Sequence, residues 1–370
     1  MKLDVLVVGG GPAGLATAIA AAAKGLRVVV TDARRPPINK PCGEGLLPEA
    51  VEALRGLGVE LNSSLGFPLE GFLFSDRKHS ACAPIVNGRA FGLRRTLLHE
   101  LLVRRAAAAG VEFRWGARVS DFAPDGARIG GEFFESDWLV GADGLNSAVR
   151  KWARLGNPRA GRTRFGFRRH FAIAPWSKFV EVYWGGRFQM VITPTHAPTH
   201  GDVCVSFFSR DPKLRIDDGL AEFPEIAERL KGAVSTSAEQ GTLVGLRSAR
   251  RVTAGRVALV GDASCSVDGI AGHGLSLGLQ AALELGEALS RGDLRLYERA
   301  HRRIASLPMR MTRLLLLMDA SNWIRQKTLR LFENRPDLFA KIISIHTSKP
   351  QDRAFDVREV VDLSWRVLWA

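Results

Sequence analysis

The chain has 370 residues, 46% hydrophobic and 24% charged, with 52 Lys/Arg, 38 Asp/Glu and a formal net charge of +14. That is an ordinary soluble globular composition, with enough chain to bury a large core but not securely two domains. Four widely spaced cysteines, Cys42, Cys82, Cys204 and Cys265, form no CxxC and no zinc-ligand pattern, which argues against a disulfide scaffold or a metal site and for a reduced, cytoplasmic protein. The charge is uneven: residues 291–350 hold 13 Lys/Arg against 5 Asp/Glu. A basic excess attracts nucleic acid, anionic lipid or anionic substrates, or is plain solvation, and solvation is the simpler reading.

In chain order, the apolar run Leu3–Val8 predicts a buried parallel strand. The glycine cluster after it breaks the apolar run, so the N-terminus reads as strand, turn and helix, not as a signal peptide or a membrane span. Alanine-rich Pro12–Lys24 is the helix, Gly25 ends it, and Leu26–Thr31 is a second β-branched strand. Helices are expected from Pro48 to about Leu57 and over Thr96–Ala109, followed by the strand Val111–Trp115. Residues 165–209 change character: Arg164–Ile173, Phe179–Trp184, Phe188–Thr193 and Val203–Ser209 read as a four-stranded meander joined by turn residues. Arg256–Val260 returns to the buried-strand pattern and Leu275–Ser290 is a long helix. Beyond Asp293 the chain reads as almost wholly helical, and VVDLSWRVLWA at its end as a terminal helix. Leucine and tryptophan beside arginine there suit either a surface for lipid or a lipophilic substrate, or a layer packed on the core.

Gly9-Gly10-Gly11-Pro12-Ala13-Gly14 carries GxGxxG between the first strand and its helix. Gly9 allows the tight turn, Gly11 lets a pyrophosphate approach, and Gly14 lets helix and strand pack closely; Pro12 and Ala13 open the helix whose free N–H groups face phosphate. Asp32 ends the next strand, followed by Ala33 and Arg34, where an acid accepts hydrogen bonds from ribose hydroxyls. Two further motifs each follow a strand: Gly141-Ala142-Asp143-Gly144-Leu145-Asn146-Ser147-Ala148-Val149-Arg150, and Gly261-Asp262-Ala263-Ser264.

Taken together these motifs resemble the p-hydroxybenzoate hydroxylase superfamily of flavoproteins, over about residues 1–290. The resemblance implies an α/β fold with a Rossmann-like FAD-binding domain, an interleaved β-sheet substrate domain and a helical C-terminal region. On that basis residues 1–75, 92–160 and 250–290 form the FAD-binding domain, 76–91 and 161–249 the substrate domain, and 291–370 the C-terminal helices. It implies FAD as cofactor, NADH or NADPH as reductant, and Asp143 and Asp262 at the cofactor, the latter with Gly261 on the ribityl chain. Arg95 matches the family's helix-opening arginine that reaches FAD, with Arg94 as a substitute. Gly269–Leu275 matches a glycine-rich turn against the flavin, where N–H groups near Gly272, Gly274 and Leu275 stabilise negative charge on the reduced ring. His273 replaces the usual Gln or Glu and is either catalytic or a polar turn residue.

The stretch Lys40-Pro41-Cys42-Gly43-Glu44-Gly45-Leu46-Leu47-Pro48 is placed by the resemblance near the flavin or substrate. Cys42 could donate a proton after hydride transfer, or be an apolar filler. Glu44 could be an acid/base or substrate anchor, or cap the helix after it. The hydroxylase prior of the superfamily favours a monooxygenase acting on a phenolic or polyketide-like ring in secondary metabolism. The missing His-Pro after GDA and the form of KPCGEGL argue instead for a geranylgeranyl-reductase-like enzyme reducing C=C bonds of a lipophilic substrate. A distant alternative is a non-enzymatic escort of the GDP-dissociation-inhibitor type. The expected partner is a lipophilic or aromatic small molecule, without nucleic acid and with peripheral membrane contact through the basic helices; oligomeric state stays open.

Overall fold

The computed structural model describes residues 2–156, 163–197 and 200–348. Two sheets organise it. In the first, Leu3–Val8 lies between Val28–Asp32 and Glu132–Gly141, all parallel, with Glu112–Trp115 outside one neighbour and Val257–Leu259 outside the other. Period-two alternation buries both faces. Val5 and Val7 join the core under the helices Pro12–Ala22 and Gly274–Ser290, while Leu6 and Val8 face the opposite core with Leu139 and Leu259. The second strand starts at Val28, not Leu26, because the Leu26 N–H still bonds the Ala21 carbonyl at 3.3 Å, closing the preceding helix.

The second sheet departs from the expected meander. Phe179–Trp184, Phe188–Ala197 and His200–Ser209 do run as antiparallel neighbours, but Arg164–Ala172 pairs with His200–Ser209, at the far side. Residues 173–178 therefore cross the sheet end instead of making a hairpin. Gly71–Ser75, assigned from sequence to the nucleotide-binding region, pairs with Phe179–Trp184 and Ser80–Pro84 in this second sheet. Its sequence, GFLFS, is apolar enough to suit either sheet, so local pattern could not place it.

The C-terminal helices Leu294–Ala320, Asn322–Asn334 and Pro336–His346 cover one face of this sheet. Met311, Leu315, Leu329, Phe332 and Phe339 pack with Val180, Val182 and Trp184. Most of their apolar residues are thus core. The short helices Ile216–Glu222 and Pro224–Leu230 cover the opposite face. The expected terminal helix in VVDLSWRVLWA lies outside the described residues.

Candidate functional site

A cavity of about 780 Å³ begins at the glycine turn and extends between the second sheet and the C-terminal helices. At its start, Gly9 has φ +114°, and a Cβ on Gly14 would collide with the Gly9 carbonyl oxygen. Gly14 therefore sets strand–helix packing and does not line the cavity, whereas Gly9, Gly11, Pro12 and Ala13 do. The helix starts with Pro12 and has no side-chain cap, leaving its first N–H groups for a ligand. Asp32 accepts the Gly10 N–H at 2.9 Å and the Arg34 N–H at 2.8 Å, so it also braces the turn it was expected to serve. Ala33 and Arg34 continue the lining.

The three motifs lock onto one another. Asp143 accepts the Ala148 and Val149 N–H groups at 2.6 and 3.2 Å, capping the helix Ala148–Trp152. Arg150 reaches back to the Leu145 carbonyl at 2.7 Å and across to the Ala263 carbonyl at 2.8 Å, fastening the Asp143 motif to the Asp262 motif. Asp262 lies 2.6 Å from the Lys40 ammonium. Burial raises its pKa, but Lys40 and the nearby Arg95 outweigh this and hold it below the usual carboxylate range.

Arg94 and Arg95 separate cleanly. The Arg94 guanidinium binds Asp202 at 2.6 and 2.8 Å. Arg95 lines the cavity, and its Nε is buried without a partner. A buried, unsatisfied guanidinium nitrogen beside a glycine cradle suits an anionic ligand. Asp143 Oδ1 is a second orphaned atom in the same lining. Farther along, Gly261, Gly272, Gly274 and Leu275 contribute. Gly272 sits at φ 68°, and the helix after it lacks a side-chain cap, so its N–H groups are free. A flavin dinucleotide fits this donor set.

The three residues expected to be catalytic are placed differently from one another. Cys42 lines the cavity and is half-buried; its sulfur accepts the Glu44 N–H at 3.4 Å. Glu44 also belongs to the cavity lining. Its side chain is 0% exposed, with Arg168 at 2.9 Å, His170 Nε2 at 2.6 Å and the Arg95 N–H at 3.0 Å. It ties the loop to the second sheet and to the helix Arg95–Ala108 from a place in the cavity lining. Cys204 joins Glu44 and His170 within 4.8 Å, but burial pushes its thiol up, away from the thiolate a metal needs, and Arg168 already supplies the cation.

Of the three, His273 is the correction. It is buried outside the cavity lining, with Nε2 3.2 Å from His346 Nδ1. Burial pushes His346 down to about 4 and His273 well below its usual value, so both rings are neutral near pH 7. His346, not His273, reaches the cavity.

Sequence reasoning missed Lys40, Arg164, Arg168, His170 and His346. One signal was readable: Arg164, Arg168 and His170 fall at even spacing on one face of a strand otherwise fit for burial. Buried charges on such a face imply partners. Arg164 has them: Asp268 at 2.7 Å, Gln189, and Asp319 of the C-terminal helices at 3.8 Å. Asp268 in turn caps the turn Gly269–Ala271 through the Ile270 N–H.

The family model described as "FAD binding domain" matches residues 2–292. The chain belongs to this family. Dialkyldecalin synthase of Streptomyces rugosporus is 25% identical over 78% of the chain and 65% of its own length, so the chain spans just under two thirds of that relative. The 6-hydroxy-3-succinoylpyridine 3-monooxygenase HspB of Pseudomonas putida is 30% identical over 78% of the chain and 80% of its own length. The structure of the anhydrotetracycline hydroxylase OxyS from Streptomyces rimosus superposes with TM-score 0.73 at 25% identity, covering 96% of this chain and 77% of that one. Among the described residues no helix is long and apolar enough to cross a membrane.

Proposed function

We propose that this FAD-dependent oxidoreductase is a monooxygenase that hydroxylates an uncharged aromatic or polyketide-like small molecule, with NADH or NADPH as reductant. The observation that carries the reading is the second lobe of the cavity. Phe72, Phe74, Val180, Val182, Phe208 and Leu315 line it, continuous with the dinucleotide cradle. The charged groups around it, Arg164 with Asp268 and Arg168 with Glu44, are paired with each other. A charged substrate would meet no free countercharge there, and an apolar ring would bury favourably. Thr193 and Ser206 in the same lining offer hydroxyls to orient it. When bound, FAD would supply the hydride and oxygen chemistry. The chain's part is to cradle it: the glycine turn and Arg95 at the pyrophosphate, Asp262 at the ribityl chain, and the N–H groups after Gly272 at the flavin edge. Similarity to HspB and OxyS supports the reaction type. A cytoplasmic setting and secondary metabolism belong to the same proposal.

A second reading, reduction of a C=C bond, has one observation in its favour: the Cys42 thiol lines the cavity, where it could donate a proton. The two readings part on oxygen. FAD-loaded protein should consume oxygen with NAD(P)H and candidate aromatics and release hydroxylated product. Alkene-dependent reoxidation without oxygen, slowed by Cys42→Ser, would replace the first reading with the second.

A further inference from the structure

The helices Leu294–Ala320 and Asn322–Asn334 meet at Ser321, and the outer side of that corner stays both apolar and basic. Arg310, Arg313, Leu314 and Leu317 follow i, i+3, i+4 and i+7 spacing, so they share one face. Leu314 is 44% exposed and Leu317 52%; on the next helix Trp323 is 52% exposed. Lys327, one turn on, holds its ammonium 6.0 Å from the Trp323 ring centroid. The opposite face of the same helices is core, with Met311, Leu315, Met318 and Leu329 buried. The exposed leucines are thus a second apolar stripe, not a poorly packed first one.

Along the chain through the corner the charge is almost all of one sign. From residue 304 to 332 the only acid is Asp319, which already binds Gln189 at 2.6 Å and Arg210 at 3.0 Å. Arg310 and Arg313 have no acidic partner among the described residues. Unpaired arginines flanking leucines and a tryptophan suit a surface that is anionic outside and apolar just beneath.

We propose that this corner docks on an anionic membrane surface. Leu314, Leu317 and Trp323 enter the boundary between headgroups and acyl chains, and Arg310, Arg313 and Lys327 sit at the lipid phosphates. The placement has a consequence for access: Leu315, the neighbour of Leu314, lines the apolar lobe of the cavity, so that lobe ends one helix thickness from the lipid. Docking itself does not depend on which reaction the flavin supports.

The test is co-sedimentation of FAD-loaded protein with phosphatidylcholine vesicles and with vesicles that also contain phosphatidylglycerol. Binding should need the anionic lipid and weaken with salt. Arg310→Ala with Arg313→Ala should lower it by on the order of thirtyfold. Leu317→Ser with Trp323→Ala should also lower it. All four positions are exposed, and an unchanged flavin spectrum and melting curve establish that the variants fold. Failure to bind anionic vesicles, or equal binding by the variants, overturns the proposal. So does a concentration-dependent dimer that Leu317→Ser and Trp323→Ala abolish, which assigns the stripe to a second copy. So does vesicle binding lost only on removal of residues 349–370.

Discussion

Glu44 shows what one residue does in this protein. It is one of two non-glycine residues among those described with positive φ, at 61°, a conformation that costs a β-carbon some strain. The return is a carboxylate that holds Arg168, His170 and the start of the Arg95 helix at once. Removing it leaves the Arg168 cation buried with one fewer acid. Glu44→Ala should therefore destabilise the fold by roughly 3–5 kcal/mol in urea unfolding and weaken FAD binding. Cys42→Ser, on the same loop but half-buried with a weak sulfur contact, should cost under about 1 kcal/mol. Equal, small effects of the two changes would show that Glu44 is not an anchor. The sequence offered each side chain as a reactive group or a structural one; both line the cavity, and only the tertiary contacts show that Arg168 and His170 hold the Glu44 carboxylate.

At the scale of elements, the glycine turn, its helix and the turns after the other two motif strands were legible because each rests on local backbone geometry. A strand followed by GxGxxG has few other structures open to it. The cavity-lining turn Gly269–Ala271 was legible as glycine-rich, but its support was not. It is capped by Asp268, and Asp268 is held by Arg164 from a strand 104 residues away. Arg164→Met should leave Asp268 a buried anion without its counterion. The expected result is a lower melting temperature and at least about tenfold weaker FAD binding in a fluorescence titration, with partial recovery in Arg164→Met with Asp268→Asn. No recovery in the double variant would mean Arg164 acts through something other than this pair. The strand order of the second sheet was illegible for a related reason. Four similar apolar strands can be arranged in more than one order, and turn residues do not say which edges meet.

For the whole molecule, the pH dependence of stability follows from groups that folding strips of water. His301 and His346 are pushed down to about 4, and Glu49 up to about 7, chiefly by burial. For the histidines the unfolded chain binds more protons below about pH 6.5, so stability is lost as pH falls through that value toward 4. For Glu49 the folded state binds the extra proton, so its contribution is present at low pH and lost as pH rises through about 7. The histidines outnumber the glutamate, and the protein should melt at lower temperature at pH 5 than at pH 7. Glu49→Gln removes the opposing contribution. It should stabilise the protein above pH 7, by up to on the order of 3 kcal/mol, and steepen the acid loss. Melting curves at the two pH values check this; a Gln variant no more stable above pH 7 would mean Glu49 ionises in the fold at little cost.

The sequence by itself determined the parallel core of the first sheet, the glycine-rich turns that line the cavity from Gly9 to Leu275 and the helices that follow Asp293 as far as His346, because short-range patterns of glycine, burial period and capping dictate them. Only the tertiary structure decided which charges are buried against each other, that Arg95 and not Arg94 faces the cavity, and that His346 stands where His273 was expected. It also decided which leucines of the last helices are core and which are left outside. Those outcomes depend on elements far apart in the chain meeting at one point, where burial strengthens a paired charge and penalises a lone one.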